Sequence, residues 1–209
     1  MTTPTIADVA ATWSRRGYST NIASPGAIKL LANGKPVTAQ ALADATGRSL
    51  DEIADDFERA RSSGAEFEGG ALVGSALSLR PTRHHFRVRG NDLYTWCGFD
   101  ALFLPIILGE QAEVSSSCPV TQAEIRLTVE ADGTVSAANP GTVVVGIVGN
   151  EVTSCCDVSG PDSAVCTQMP FFVSREAGER WLPEHPGVAL ADLGEAQDVA
   201  RAYVSSGCC

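Results

Sequence analysis

The stretch Leu93-Tyr94-Thr95-Trp96-Cys97-Gly98-Phe99-Asp100-Ala101-Leu102-Phe103-Leu104-Pro105 constrains this chain more than any other. It opens like a strand and continues into a segment that is apolar nearly all round, through Ile106, Ile107 and Leu108. A helix without a polar face has to be buried, so the rest of the fold must enclose it. Gly109 is a natural stop, and Pro105 is expected to kink or shorten the helix. Cys97 falls at the junction and Asp100 three residues on, which places both on one helical face. A helix start lowers a thiol's pKa through its unpaired N–H groups. A neighbouring carboxylate opposes this and keeps a proton on one of the two groups. Such a pair offers sulfur to a soft metal and a carboxyl to a travelling proton. A plainer role fits the same spacing: a buried thiol acting as a small hydrophobe, and an Asp satisfying first-turn N–H groups.

The bulk properties narrow the field. A chain of 209 residues suits one or two small domains. A net charge of −10 is poorly suited to a phosphate backbone, so no nucleic acid is expected as a partner. No apolar run reaches the ~20 residues that span a bilayer, so no membrane association is expected. Met1-Thr2-Thr3-Pro4-Thr5 lacks the features of a secretory signal, and the expected compartment is the cytoplasm. The seven cysteines, Cys97, Cys118, Cys155, Cys156, Cys166, Cys208 and Cys209, are then reduced. None are spaced C-x-x-C, so a zinc ribbon is unsupported.

The expected fold is α+β. Residues 5–17 predict a first helix with Ile6, Val9 and Trp13 on one side. Ser24-Pro25 starts a second, Thr38 caps a third that Gly47 stops, and Ser49 with Glu52 forms a capping box for a fourth carrying Ile53, Phe57 and Ala60. A hairpin over 65–79 completes a winged-helix-like domain spanning 1–80. Its last helix carries Asp51, Glu52, Asp55, Asp56 and Glu58 against Arg59 and Arg61, which favours packing or covering a substrate over DNA binding. From 81 to 209 the pattern predicts a mixed or antiparallel β-sheet with flanking helices, ending in a mobile Cys-Cys tail. Strands are expected near 85–89, 112–116, 124–130, 142–148 and 165–173, the last interrupted by Pro170. Residues 151–163 read as a loop. Helices are expected after Ser174 and over 194–204. His84 and His85 point to opposite faces of a strand and suit surface or edge positions.

The residues Asn91 to Asp100, Leu104-Pro105 and Ile107-Leu108-Gly109 resemble the alkylmercury lyases, also called organomercurial lyases. So do Val114-Ser115-Ser116-Ser117-Cys118-Pro119-Val120-Thr121 and Cys166 with Phe171-Phe172, Trp181, His185 and Gly187. Gly34-Lys35-Pro36-Val37 matches the family's helical N-terminal domain, and the resemblance covers about residues 25–200. It implies protonolysis of the carbon–mercury bond of alkyl- and arylmercury compounds, giving a hydrocarbon and Hg(II). It implies Cys97, Asp100 and Cys166 as the catalytic residues and as the mercury-binding set. No cofactor is implied, because mercury is the substrate's own metal and free thiols accept the product. Hand-off of Hg(II) to a mercuric reductase or to small thiols is the implied onward step, and Cys118 has the place of a structural cysteine. In the best-known members another Cys directly follows the second catalytic cysteine. Here Thr167 follows Cys166, and the vicinal pair is Cys155-Cys156. Phe171-Phe172 anchors Cys166 as the partner, with Cys155 or Cys156 as the fallback.

The chemistry follows from softness and acidity. Hg(II) prefers thiolates to nitrogen or oxygen. A second thiolate adds electron density to mercury and makes the bound carbon more basic. A positioned carboxylic acid then protonates that carbon, general acid catalysis worth about 10²–10⁴-fold. In this scheme Cys97 makes the first Hg–S bond and Asp100 carries a proton from Cys166 to the carbon, although sequence leaves the order of the thiols open. The alternative is a mercury sensor or scavenger that binds without cleaving. Cys208-Cys209 is either a thiol arm for passing mercury on or an incidental tail.

Overall fold

A computed structural model describes residues 5–9, 11, 23–148 and 165–205 of the chain. Residues 6–9 are helical and Val9 is buried, whereas Trp13 lies outside the described residues. Ser24 Oγ accepts the Ala27 N–H ahead of α1 (Pro25–Leu31), with Pro at the start where its missing N–H costs nothing. Thr38 caps α2 (Ala39–Thr46), and Gly47 closes it at φ 69°. Ser49 and Glu52 form the capping box of α3 (Leu50–Ser62), which buries Ile53, Phe57 and Ala60. Around α3, Asp56 holds Arg48 and Arg59 while Glu58 holds Arg61. These arginines already have carboxylate partners.

The expected hairpin is β1 (Glu66–Glu68) and β2 (Ala71–Ser75), and β3 (Leu77–Ser78) carries it straight into a larger sheet. That sheet adds β4 (His84–Val88), β5 (Asn91–Thr95), β6 (Ala112–Ser117), β7 (Glu124–Val129) and β8 (Val135–Asn139), in the order β1-β2-β3-β5-β4-β6-β7-β8. Its ladders are antiparallel. The expected boundary after residue 80 falls between β3 and β4 of this one sheet. A second sheet sets β9 (Val144–Val148) between β10 (Phe171–Phe172) and β11 (Val188–Asp192), again antiparallel. The edge strand β8 has no counterpart in the sequence reading because Val-Ser-Ala-Ala-Asn carries little β-propensity and stays mostly exposed. β11 was hidden for the opposite reason. Val188-Ala-Leu-Ala is a short apolar run, buried throughout, with no alternation to mark it.

β5 leads into α4 (Gly98–Leu108), of which every residue except Ile106 is buried. Ser174 caps α5 (Arg175–Trp181) as expected, and α4 packs on β4, β5 and β7 of the large sheet, on β9 of the small one, and along α6 (Leu193–Ser205). Phe99 and Phe103 meet the ring of Tyr203 on α6 at 5.8 and 5.1 Å. Pro105 does not shorten the helix. It removes one donor near the end, and α4 runs on to Gly109, whose φ of 71° and N–H to Pro105 O close it. Among the described residues no helix is long and apolar enough to cross a membrane.

Because α4 is held from all sides, truncating it should be costly. Phe103→Ala is expected to lower the unfolding free energy by about 3–5 kcal/mol in urea titrations with the slope unchanged.

Candidate active site

Cys97 is the N-cap of α4, in extended backbone at φ −144°. Its Sγ accepts the Asp100 N–H at 3.4 Å, and Asp100 Oδ2 accepts the Cys97 N–H at 3.0 Å. This is a capping box with a thiol where a hydroxyl usually stands. The two reactive groups therefore fix each other while satisfying the helix's first donors. Behind them, Thr95 Oγ1 donates to Cys97 O at 2.8 Å.

Cys166 comes from the far side of the chain. The expected strand over 165–173 is instead a 3-10 turn, Cys166–Gln168, followed by the two-residue β10. Pro170 has no N–H to give a ladder, and the carbonyls around it are used elsewhere. Met169 O accepts the Gly98 N–H at 2.8 Å, and Pro170 O accepts the Gly146 N–H at 3.0 Å. Both donors are glycines for a steric reason. A Cβ on Gly98 would lie 2.9 Å from Met169 O, and one on Gly146 would lie 3.0 Å from Gln168 O. These contacts draw the turn onto the start of α4. The Cys97 and Cys166 sulfurs and an Asp100 oxygen then all lie within 4.8 Å of one another. The three residues are 0%, 8% and 7% exposed in that order.

Burial controls the electrostatics. It pushes the Asp100 carboxyl well above its ordinary value, the nearby Cys166 charge adds to this, and the hydrogen bonds from Cys97 only partly offset it. Burial also raises the Cys97 thiol well above its ordinary value, followed by its hydrogen bond to Cys166 and the charge of Asp100. The helix-start effect expected from sequence is thus outweighed, and burial favours the protonated forms of Cys97 and Asp100. A soft cation entering between the sulfurs would displace the thiol protons, with a carboxyl beside it to receive one.

A cavity of about 550 Å³ lies over Cys166, bordered by Glu66, Arg83, His84, Trp96, Trp181 and His185 among others. His84 corrects a sequence expectation. It is 4% exposed rather than at the surface, with Nδ1 2.9 Å from Ser116 Oγ and its ring edge-on to Phe171. Burial, aided by the charge of Arg83, pushes its pKa down to about 3, so the ring is neutral. The signal was the alternation itself: His84 shares its face with Phe86 and Val88, both buried. His85 does point the other way, partly exposed, against Asp92 and Tyr94. Tyr94 packs there rather than at the cavity. Cys118 is fully buried and outside the three-residue cluster. Burial pushes its thiol up, but hydrogen bonds from Thr121, Val173 and Val120 bring it below the ordinary value. Cys97, Cys118 and Cys166 are thiols, not disulfides. Cys155-Cys156, the expected 151–163 loop and Cys208-Cys209 lie outside the described residues.

Comparison with known proteins bears on this geometry. Residues 77–205 match the family model of alkylmercury lyase (MerB), and residues 11–76 match that of the helix-turn-helix domain of alkylmercury lyase. An alkylmercury lyase of Streptomyces lividans is 38% identical over 191 residues, covering 87% of this chain and 85% of that one. One of Bacillus cereus is 37% identical over 174 residues, covering 83% and 77%. A solved structure, the mercury-bound form of MerB2, superposes with a TM-score of 0.68 at 23% identity over 84% of this chain and 85% of that one. At that identity the superposition shows a shared fold.

Two outcomes follow from the cluster. Gly98→Ala should cost about 1–3 kcal/mol of stability through overpacking against Met169 O and Phe171, read by chemical denaturation. Asp100→Asn keeps an acceptor for the Cys97 N–H but cannot ionise. A carboxyl with a raised folded pKa loses stability as pH rises above its unfolded value near ~4. The variant should therefore be the more stable protein near pH 8, read by the same denaturation. The advantage should vanish near pH 4.

Proposed function

The chain belongs to the alkylmercury lyase family, so its reaction is cleavage of the carbon–mercury bond of an organomercurial, and we propose that Cys97, Asp100 and Cys166 carry it out. The observation that supports this reading is the convergence of two sulfurs and one carboxyl oxygen within 4.8 Å. The products are a hydrocarbon and Hg(II). No resident cofactor is needed, since the substrate brings the metal.

Cys166 borders the cavity and Cys97 lies sealed beneath it. On this reading Cys166 makes the first Hg–S bond, the reverse of the order drawn from sequence. Mercury then reaches Cys97, which becomes the second thiolate as its proton passes to Asp100 inside the capping box. Two thiolates load electron density onto mercury and raise the basicity of the bound carbon. Asp100 delivers the proton to that carbon, and the C–Hg bond breaks with its electron pair going to the new C–H bond. The raised pKa of Asp100 keeps the proton available for this step. Hg(II) stays between the two sulfurs until outside thiols, or a mercuric reductase, take it. A pure sensor or scavenger would need the sulfurs alone, and the Asp100 carboxyl would then do no more than cap the start of α4.

The segment 1–80 serves on this reading to cover the site rather than to bind DNA, since Glu66 and Arg80 border the cavity. Free thiols at Cys97, Cys118 and Cys166 suit a cytoplasmic setting.

Purified protein mixed with a phenylmercurial and excess small thiol should release benzene, measured by gas chromatography. Cys97→Ser and Cys166→Ser should release none. Asp100→Asn should still bind one mercury per chain while its turnover falls by about 10²–10⁴-fold. Wild-type release from Asp100→Asn would remove Asp100 from the mechanism.

A further inference from the structure

The cavity over Cys166 is larger than the reaction needs. At about 550 Å³ it falls within the ~300–1,000 Å³ that holds a whole drug-sized ligand, whereas an alkyl or aryl group occupies only a small part of that. The remaining space lies where a second ligand of mercury must sit. An organomercury cation among thiols is itself thiol-bound, because mercury prefers thiolates to every other available donor. When its mercury first meets Cys166, the sulfur about to be displaced is therefore in this cavity, and so is the molecule attached to it.

The charges around the cavity do not cancel. Glu66 is the buried acid there, with a side chain 11% exposed, and its oxygens are occupied. Oε2 accepts from Ser78 Oγ at 2.6 Å and from Trp96 Nε1 at 3.0 Å, and Oε1 accepts from Arg80 at 3.4 Å. Arg80 and Glu66 thus offset each other. Arg83 also borders the cavity, is exposed, and makes no ion pair among the described residues. His84 beside it is neutral. One positive charge is left over at the mouth of the cavity, on a chain whose net charge of −10 otherwise repels anions.

We propose that this cavity is a subsite for the carrier thiol on which the organomercurial arrives, and that Arg83 takes the carrier's carboxylate. The preferred substrate is an R–Hg–S–R′ adduct in which R′ bears a carboxylate. Exchange at the subsite forms the Hg–S bond to Cys166 as the Hg–S bond to the carrier breaks. The carrier leaves as R′–SH with the proton Cys166 gives up, and nothing is oxidised or reduced. This inference rests on Cys166 being the first thiol to engage.

The test uses phenylmercury in excess mercaptoacetate, 2-mercaptoethanol or cysteamine, which are anionic, neutral and cationic carriers. Wild-type KM for benzene release should be about 2- to 5-fold lower with mercaptoacetate than with cysteamine, the effect of one exposed ion pair, and the ratio should shrink in high salt. Arg83→Ala should bring the ratio to about one, Arg83→Glu should invert it, and Arg83→Lys should keep its direction. Quenching of tryptophan fluorescence by the same adducts reads the same ratio from binding alone, because Trp96 and Trp181 border the cavity. If no carrier yields benzene, the cleavage reading falls and the quenching ratio still decides the subsite. Equal affinity of the wild type for all three carriers, or a preference that survives Arg83→Glu, would overturn the proposal.

Discussion

The first turn of an α-helix has N–H groups that no carbonyl of its own can reach. In α4 two of the nearby donors are met by Cys97 Sγ and Asp100 Oδ2, each bonding the other's backbone. A residue pair that would otherwise be two mobile side chains becomes part of the helix start. The remaining features of the site build on that box. The apolar body of α4 anchors it in the core, and the Gly98 N–H reaches out to Met169 and brings Cys166 into range. A shift in the box would move a sulfur and a carboxyl together, and the turn that carries the other sulfur with them.

Burial then sets the chemistry. In water a carboxyl is ionised long before a thiol, and such a pair could not exchange a proton usefully at neutral pH. Enclosure by the two sheets and α6 raises both groups, Asp100 included. An acid whose proton is favoured by burial, next to a Cys97 thiol that burial also keeps protonated until a soft cation arrives, matches the needs of the proposed protonolysis. The arrangement is costly to the fold, as functional sites commonly are, and the fully packed helix behind it offsets that cost.

Much of this was legible in the sequence because the signals were local. Ser24-Pro25, Thr38 with Gly47, and Ser49 with Glu52 each mark a helix end through a cap that needs no tertiary context. The strand-to-helix junction at Cys97 was equally plain, and the alternation of Ile125, Leu127 and Val129 gave β7. What escaped depended on distant partners. The turn at Cys166 looked like a strand, since nothing in Val165 to Val173 shows that its carbonyls are bound by Gly98 and Gly146. The roles of those two glycines appear only once the loop lies against them. His84 looked superficial because its polarity outweighed its place on the face of Phe86 and Val88. The direction of the Cys97 thiol's pKa stayed open between a helix start and a carboxylate, because both are visible in sequence and the depth of burial that decides it is not.

The central claim is that one mercury ends between Cys97 and Cys166. X-ray absorption at the mercury edge would test it most directly, on protein taken through a single turnover of phenylmercury with no outside thiol present and with Cys155, Cys156, Cys208 and Cys209 changed to Ser. The account predicts mercury bound by two protein sulfurs, one mercury per chain, with the phenyl group gone. Mercury held by a single protein sulfur after benzene has left would contradict it.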